Sequence, residues 1–144
     1  MLRPAGTVDF GLAEPAAAIA SISAMPAAPE VTIPDEPATE LIITDLTVGE
    51  GQVVGTGDTV EVHYIGVGQE SKEKFDSSFD RGESISFGLN QVIAGWSQGL
   101  VGMAVGGRRH LVIPGHLAYG DRSPTPAIRP NETLVFVVDL IGIR

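Results

Sequence analysis

Cysteine is missing altogether from this chain. That excludes disulfide staples, a thiol nucleophile and thiolate metal sites, and leaves packing to hold whatever fold forms. Basic residues are scarce: nine Lys and Arg stand against 18 Asp and Glu, for a formal charge of -9. The only adjacent basic pair is Arg108-Arg109. Phosphate binding relies on clustered cations that release counterions, so nucleic acid is not an expected partner. No apolar run approaches the ~18 residues of a membrane span, and a membrane is not expected either. Aromatic residues make up only 6% of the chain, with a single tryptophan, so the place of each one carries information.

What is present divides the 144 residues in two. Before about residue 40, Pro and Ala recur without a periodic apolar pattern, and six acids face Arg3 alone. Residues 1–38 therefore read as a Pro/Ala-rich acidic arm, expected to be flexible because it cannot offset the entropy of ordering. An apolar stretch after Arg3 has a faint look of a secretory leader, but Asp9 and Glu14 interrupt it. The expectation is a cytoplasmic protein. Residues 39–144 read as one folded domain, whose 43% hydrophobic content is enough for a core.

From Leu41 onward short apolar runs alternate with turn residues. Strands are expected over 41–48, 59–66, 74–78, 84–87, 108–113 and 133–143. In the second of these Val60, Val62 and Tyr64 alternate with Glu61 and His63, which places His63 on the solvent side of a half-buried strand. One helix interrupts the series. Asn90 can cap it, and Val92, Ile93, Trp96 and Leu100 share a face at spacings of three and four. Strands joined without helical crossovers imply an α+β fold, a twisted antiparallel β-sheet of about five strands around one short α-helix. Gly95 and Gly99 weaken that helix by about 1 kcal/mol each relative to alanine unless something approaches their backbone closely. A platform pressed onto the sheet would supply the reason.

Six segments in order, VHYIG (62–66), FDSS (75–78), VIAGW (92–96), Gly99 with Met103 and Val105-Gly106, AYG (118–120) and PNETLVF (130–136), resemble the FKBP-type peptidyl-prolyl isomerases, the immunophilin family. The resemblance runs from about Leu41 to the C-terminus. It implies a cofactor-free isomerase or rotamase that speeds X-Pro rotation in protein chains and assists folding, acting as a monomer. Proline-containing polypeptides and macrolides of the tacrolimus and rapamycin type are the implied partners. The resemblance also implies that Tyr64, Phe75, Asp76, Trp96, Tyr119 and Phe136 form the catalytic pocket, with Trp96 as its floor. Arg81, Ile85, Val92, Ile93 and Ile128 are then substrate-binding, the Ile93 N–H and the Tyr119 hydroxyl meeting ligand carbonyls and Ile128 forming an apolar lip. Ile85 stands where many members have an aromatic wall residue.

Two other readings compete. The same pocket could hold a proline segment or macrolide without turnover. Metal-dependent or hydrolytic chemistry is the second: His63, His110 and His116 are widely separated, and neither a His-Glu-x-x-His nor a Gly-x-Ser-x-Gly pattern occurs. No metal ligands are expected.

Overall fold

The computed structural model describes residues 29–122 and 124–144. Six strands, β1 (Ile42–Thr47), β2 (Thr59–Gly68), β3 (Lys74–Ser77), β4 (Ile85–Gly88), β5 (Arg108–Ile113) and β6 (Leu134–Ile143), form one antiparallel sheet. Its order is β1-β5-β6-β2, and β2 is then flanked by β4 along its first half and β3 along its second. The long apolar strands β2 and β6 pair over their full length at the centre, Tyr64 opposite Val138 and Gly66 opposite Phe136. This is the expected architecture, with six strands where about five were expected.

Period-two alternation sorts the sheet into two faces. Val60, Val62, Tyr64, Leu111, Ile113, Leu134, Phe136, Val138 and Leu140 point inward and form the main core with Trp96, Leu100 and Met103. The helix they enclose, α2 (Ala94–Gly99), has only six residues. A helix this short is marginal alone, and its stability comes from contact. A Cβ on Gly95 would sit 2.7 Å from Cδ1 of Ile113 and closer still to its Cγ2, while one on Gly99 would meet Leu111 Cδ2 at 3.0 Å. The glycines therefore let the helix backbone lie directly on β5.

The far end of α2 is satisfied by Arg109, which is 7% exposed and donates through Nη1 to the carbonyls of Gly99 (2.8 Å) and Val101 (3.2 Å). Its Nε meets Asp45 of β1 at 2.7 Å. Carbonyls left unpaired at a helix end are thus held by a strand side chain. The near end departs from the sequence reading: Ile93, not Asn90, is the N-cap, and no side chain caps it. The chain reaches the helix through a turn in which the Ser97 hydroxyl donates to the Leu89 carbonyl at 2.5 Å, a bond made from inside the helix back to the approach.

The outward face is also covered, which alternation alone did not reveal. A one-turn helix, α1 (Ser78–Arg81), follows β3, capped by Ser77 and ended by Gly82 at φ 73°. It lays Phe79 on the outer side of β2 against Ile65 and Val137. His63, expected to face solvent, is 6% exposed; its ring stacks on Phe79 at 5.1 Å and its Nδ1 pairs with the Ser78 hydroxyl at 2.9 Å.

Residues 29–38, assigned above to a flexible arm, complete the cover. Val31, Ile33 and Ala38 pack on Val67, Val112 and Val135. The Thr32 carbonyl pairs with His110 Nε2, the Pro34 carbonyl accepts from Gln69, and the Ala38 N–H donates to the Thr133 hydroxyl, all within 3.1 Å. The rest of the arm lies outside the described residues.

Candidate active site

At the open end of the sheet, above α2, lies a cavity of about 540 Å³ lined by Tyr64, Phe75, Asp76, Arg81, Ile85, Phe87, Gln91, Val92, Ile93, Trp96, Tyr119 and Phe136. Most come from elements already placed, while Gln91, Val92 and Ile93 lie in the approach to α2 and Tyr119 in the loop after β5. Tyr64 and Phe136 are inward residues of the two central strands, Phe75 and Asp76 lie on the edge strand β3, and Trp96 rises from the platform helix. Room for the rings requires a missing side chain: a Cβ on Gly66 would lie 2.7 Å from both Phe136 and Phe75.

The rings meet nearly at right angles. Trp96 stands at 90° to Tyr64 (5.2 Å between centroids), at 82° to Phe136 (5.4 Å) and at 83° to Phe87 (5.3 Å), and Phe75 meets Phe136 at 87° (5.5 Å). Edge-to-face pairs of this kind are favoured by the ring quadrupole by about 0.5–1.5 kcal/mol each beyond area burial. These perpendicular contacts join floor and walls into one cluster. Trp96 is 4% exposed, and its indole Nε1 has no hydrogen-bond partner among the described residues.

One polar cluster breaks the apolar wall. The Tyr64 hydroxyl donates to one oxygen of Asp76, and Arg81 Nη1 donates to the other at 3.2 Å. Burial, then the bond to Asp76, pushes the Tyr64 hydroxyl well above the ordinary phenol range, so it remains a donor at any working pH. Burial and the nearby Asp76 charge also raise Tyr119, whose side is 40% exposed at the cavity mouth. At the helix start, the Ile93 N–H donates to no backbone group among the described residues, although the Ile93 carbonyl receives Trp96 and Ser97.

Ten of the eleven residues named from the sequence line this one cavity, and Ile128 does not. Its side chain is 2% exposed and belongs to the core cluster, so it anchors the loop of residues 118–131 from beneath instead of forming a lip. Phe87 and Gln91 were missed. Phe87 was open to discovery, since it lies two residues from Ile85 on one strand and must share its face. It also supplies the aromatic wall that Ile85 lacks. Gln91 sits in an irregular turn with no periodic signal.

An aromatic cup with hydrogen-bond donors at its rim is suited to holding a small apolar ring with a polar group attached. The model of the family described as FKBP-type peptidyl-prolyl cis-trans isomerase matches residues 47–141. The chain is 51% identical over 119 residues to the FK506-binding protein of Streptomyces anulatus, covering 80% of this chain and 96% of that one. It is 50% identical over 115 residues to the probable FK506-binding protein of Corynebacterium glutamicum, covering 79% and 97%. Among solved structures, that of FkpA from Escherichia coli aligns with a TM-score of 0.67 at 42% identity, covering 76% of this chain and 51% of that one. AtFKBP13 aligns with a TM-score of 0.66 at 34% identity, covering 80% and 99%. The protein belongs to the FKBP-type peptidyl-prolyl cis-trans isomerase family, and it is an enzyme that accelerates X-Pro bond rotation.

That reaction suits such a site. The barrier to rotation, about 18–20 kcal/mol, comes from breaking C–N conjugation, and the two isomers differ by only about 0.5–1 kcal/mol. No bond has to be made or cut. Conjugation places negative charge on the planar amide oxygen, which water stabilises, and twisting withdraws that charge. Stripping water from the amide in an apolar cup therefore disfavours the planar state relative to the twisted one.

Proposed function

We propose that the cup floored by Trp96 takes the prolyl ring of X-Pro segments in protein chains, and that catalysis follows from holding the amide dry and twisted there. Tyr64, Phe75, Trp96 and Phe136 surround the ring, the Ile93 N–H and the Tyr119 hydroxyl bond the flanking carbonyls, and Arg81 holds Asp76 in place. The observation that carries this reading is the right-angled packing of three rings, Tyr64, Phe87 and Phe136, on Trp96 around an open cavity of about 540 Å³. A ring alone needs far less room, so flanking residues or a macrolide fit as well.

Tacrolimus-type macrolides are proposed ligands of the same cup; relatives from Streptomyces anulatus and Corynebacterium glutamicum bear FK506 binding in their names. The protein is proposed to assist folding as a cytoplasmic monomer. Support for the monomer is that much of the apolar outer sheet face is covered by α1 and residues 31–38 of the same chain. Light scattering on the purified chain tests the monomer, and fractionation of cells tests the compartment.

The deciding experiment couples two readouts on one sample. Isomerisation of an X-Pro tetrapeptide is followed with and without tacrolimus, while Trp96 fluorescence reports occupancy of the cup. The expected result is catalysis that tacrolimus abolishes at the concentration that changes the fluorescence. Catalysis unaffected by a macrolide that does perturb Trp96 would place turnover elsewhere, and a rate equal to the uncatalysed one would leave a binding module only.

A further inference from the structure

The cup accounts for most of the polar residues near it, but one buried carboxylate stands outside. Glu132 is 4% exposed and lies in the loop just before β6. Its Oε2 accepts the backbone N–H groups of Glu70 (3.0 Å) and Ser71 (2.9 Å), and its Oε1 accepts that of Arg129 (2.8 Å). An ionised carboxylate offers only acceptors, and three N–H donors occupy most of its roughly four lone-pair sites. Burial by itself would raise its pKa, but the bonds from Arg129, Ser71 and Glu70 outweigh that and hold the group below its usual value. Space for it is reserved: a Cβ on Gly68 would lie 2.8 Å from the Glu132 Cδ and closer still to Oε2.

The three segments that converge on this carboxylate all lead into the cup. The turn of residues 69–73 opens β3, which carries Phe75 and Asp76. The loop of residues 118–131 carries Tyr119, and its two ends are drawn together by the Asn131 N–H donating to the Gly120 carbonyl at 2.6 Å. Glu132 itself precedes β6, which carries Phe136. The same turn is joined to the start of β6 by the Gln69 N–H donating to the Thr133 carbonyl at 2.9 Å. On the surface, an Arg129–Glu70 ion pair at 3.1 Å spans the junction, but both side chains are more than half exposed and contribute little.

We propose that Glu132 is a positioning residue for the isomerase: its carboxylate ties the Tyr119 loop to the turn that leads into the Phe75–Asp76 wall, and so sets the width of the cup. This inference rests on the cup being the prolyl site. Glu132 touches no substrate and acts through the walls it joins.

The test uses Glu132→Gln, which keeps shape but sets an amide NH2 against an N–H donor, and Glu132→Asp, which keeps the charge on a shorter stem. Both are assayed on an X-Pro tetrapeptide well below their melting temperatures, with amide exchange at Glu70, Ser71 and Arg129 followed in parallel. Losing the grip of one wall is worth about one hydrogen bond, so KM should rise about fivefold in Glu132→Gln with kcat changed less than twofold. Glu132→Asp should fall between Glu132→Gln and the original chain, and exchange at the three amides should rise in the same order. Arg129→Ala, which removes only the exposed pair, should keep the original KM. If Glu132→Gln does not fold, Glu132→Asp carries the comparison. Faster exchange at the three amides with an unchanged KM would overturn the proposal and leave Glu132 a structural staple. A failure of the prolyl-site reading would look different, as turnover in the original chain that tacrolimus does not inhibit.

Discussion

Replacing Gly95 by alanine sets two effects of opposite sign against each other. Helix propensity alone makes the change favourable by about 1 kcal/mol, because alanine is the best helix former and glycine among the worst. The structure opposes this. The added Cβ would meet Cδ1 and Cγ1 of Ile113 at 2.7 and 2.8 Å, with Cγ2 nearer still. Ile113 is 0% exposed in a strand paired on both sides, so neither its side chain nor its backbone has room to retreat. Overpacking of this kind costs up to about 3 kcal/mol.

The expected net is a loss of about 2 kcal/mol, or roughly 6 °C in Tm for a chain of this size. Denaturant melts and calorimetry measure it. Gly99→Ala is the internal comparison, since its Cβ would meet only the branched end of Leu111 at 3.0 and 3.1 Å and a few tenths of an ångström of adjustment suffices; it should lie near neutral. Gly95→Ala combined with Ile113→Ala should cost less than the sum of the two single changes, because the collision disappears. Since Trp96 is the next residue, Gly95→Ala should also weaken tacrolimus binding. A rise in Tm on Gly95→Ala would refute the claim that the glycine exists to bring helix and sheet together.

Three further outcomes are expected. Phe136→Ala removes a wall of the cup and about 2 kcal/mol of apolar contact with a bound ring, so kcat/KM and tacrolimus affinity should both fall about 30-fold, while Trp96→Leu should weaken macrolide binding; peptide assay and fluorescence titration read them, and unchanged values for both would mean the cup is misplaced.

Acid should destabilise the fold through His63. Burial, reinforced by Arg81 and opposed by Asp139 and Glu61, lowers its pKa below the usual histidine value. The unfolded chain therefore binds the proton first, and the contribution is complete above about pH 6.5 and lost as the pH falls below it. His63→Gln should flatten Tm against pH in that window, and an unaltered profile would contradict it. Deleting residues 1–38 should lower Tm more than deleting 1–28, since only the longer deletion uncovers Val67, Val112 and Val135; equal melting temperatures would show that residues 29–38 contribute no cover.

Strands following one another without helical crossovers were enough to establish an antiparallel sheet, because parallel neighbours need a long crossover between them. Alternation in β2 marked which side chains share a face, because side-chain direction along a strand follows from backbone geometry. The glycines flanking Trp96 likewise announced a close approach, since nothing local rewards them. The cup residues were legible for a different reason: short motifs in order resemble a family, and the structure brings all of them but Ile128 to one cavity. What covers each face was not legible. His63 obeys the alternation and points outward, yet it is buried because α1 and Phe79 lie over it. Residues 29–38 have no periodicity, and they pack because an apolar outer face awaits them.

Asn90 had the chemistry of a cap, but the helix begins four residues later, where α2 rests on β5. Periodicity and motif depend on neighbours along the chain, and these the sequence by itself determined. Burial, the perpendicular set of the rings and the three-way junction at Glu132 depend on groups far apart in sequence, so only tertiary structure decided them.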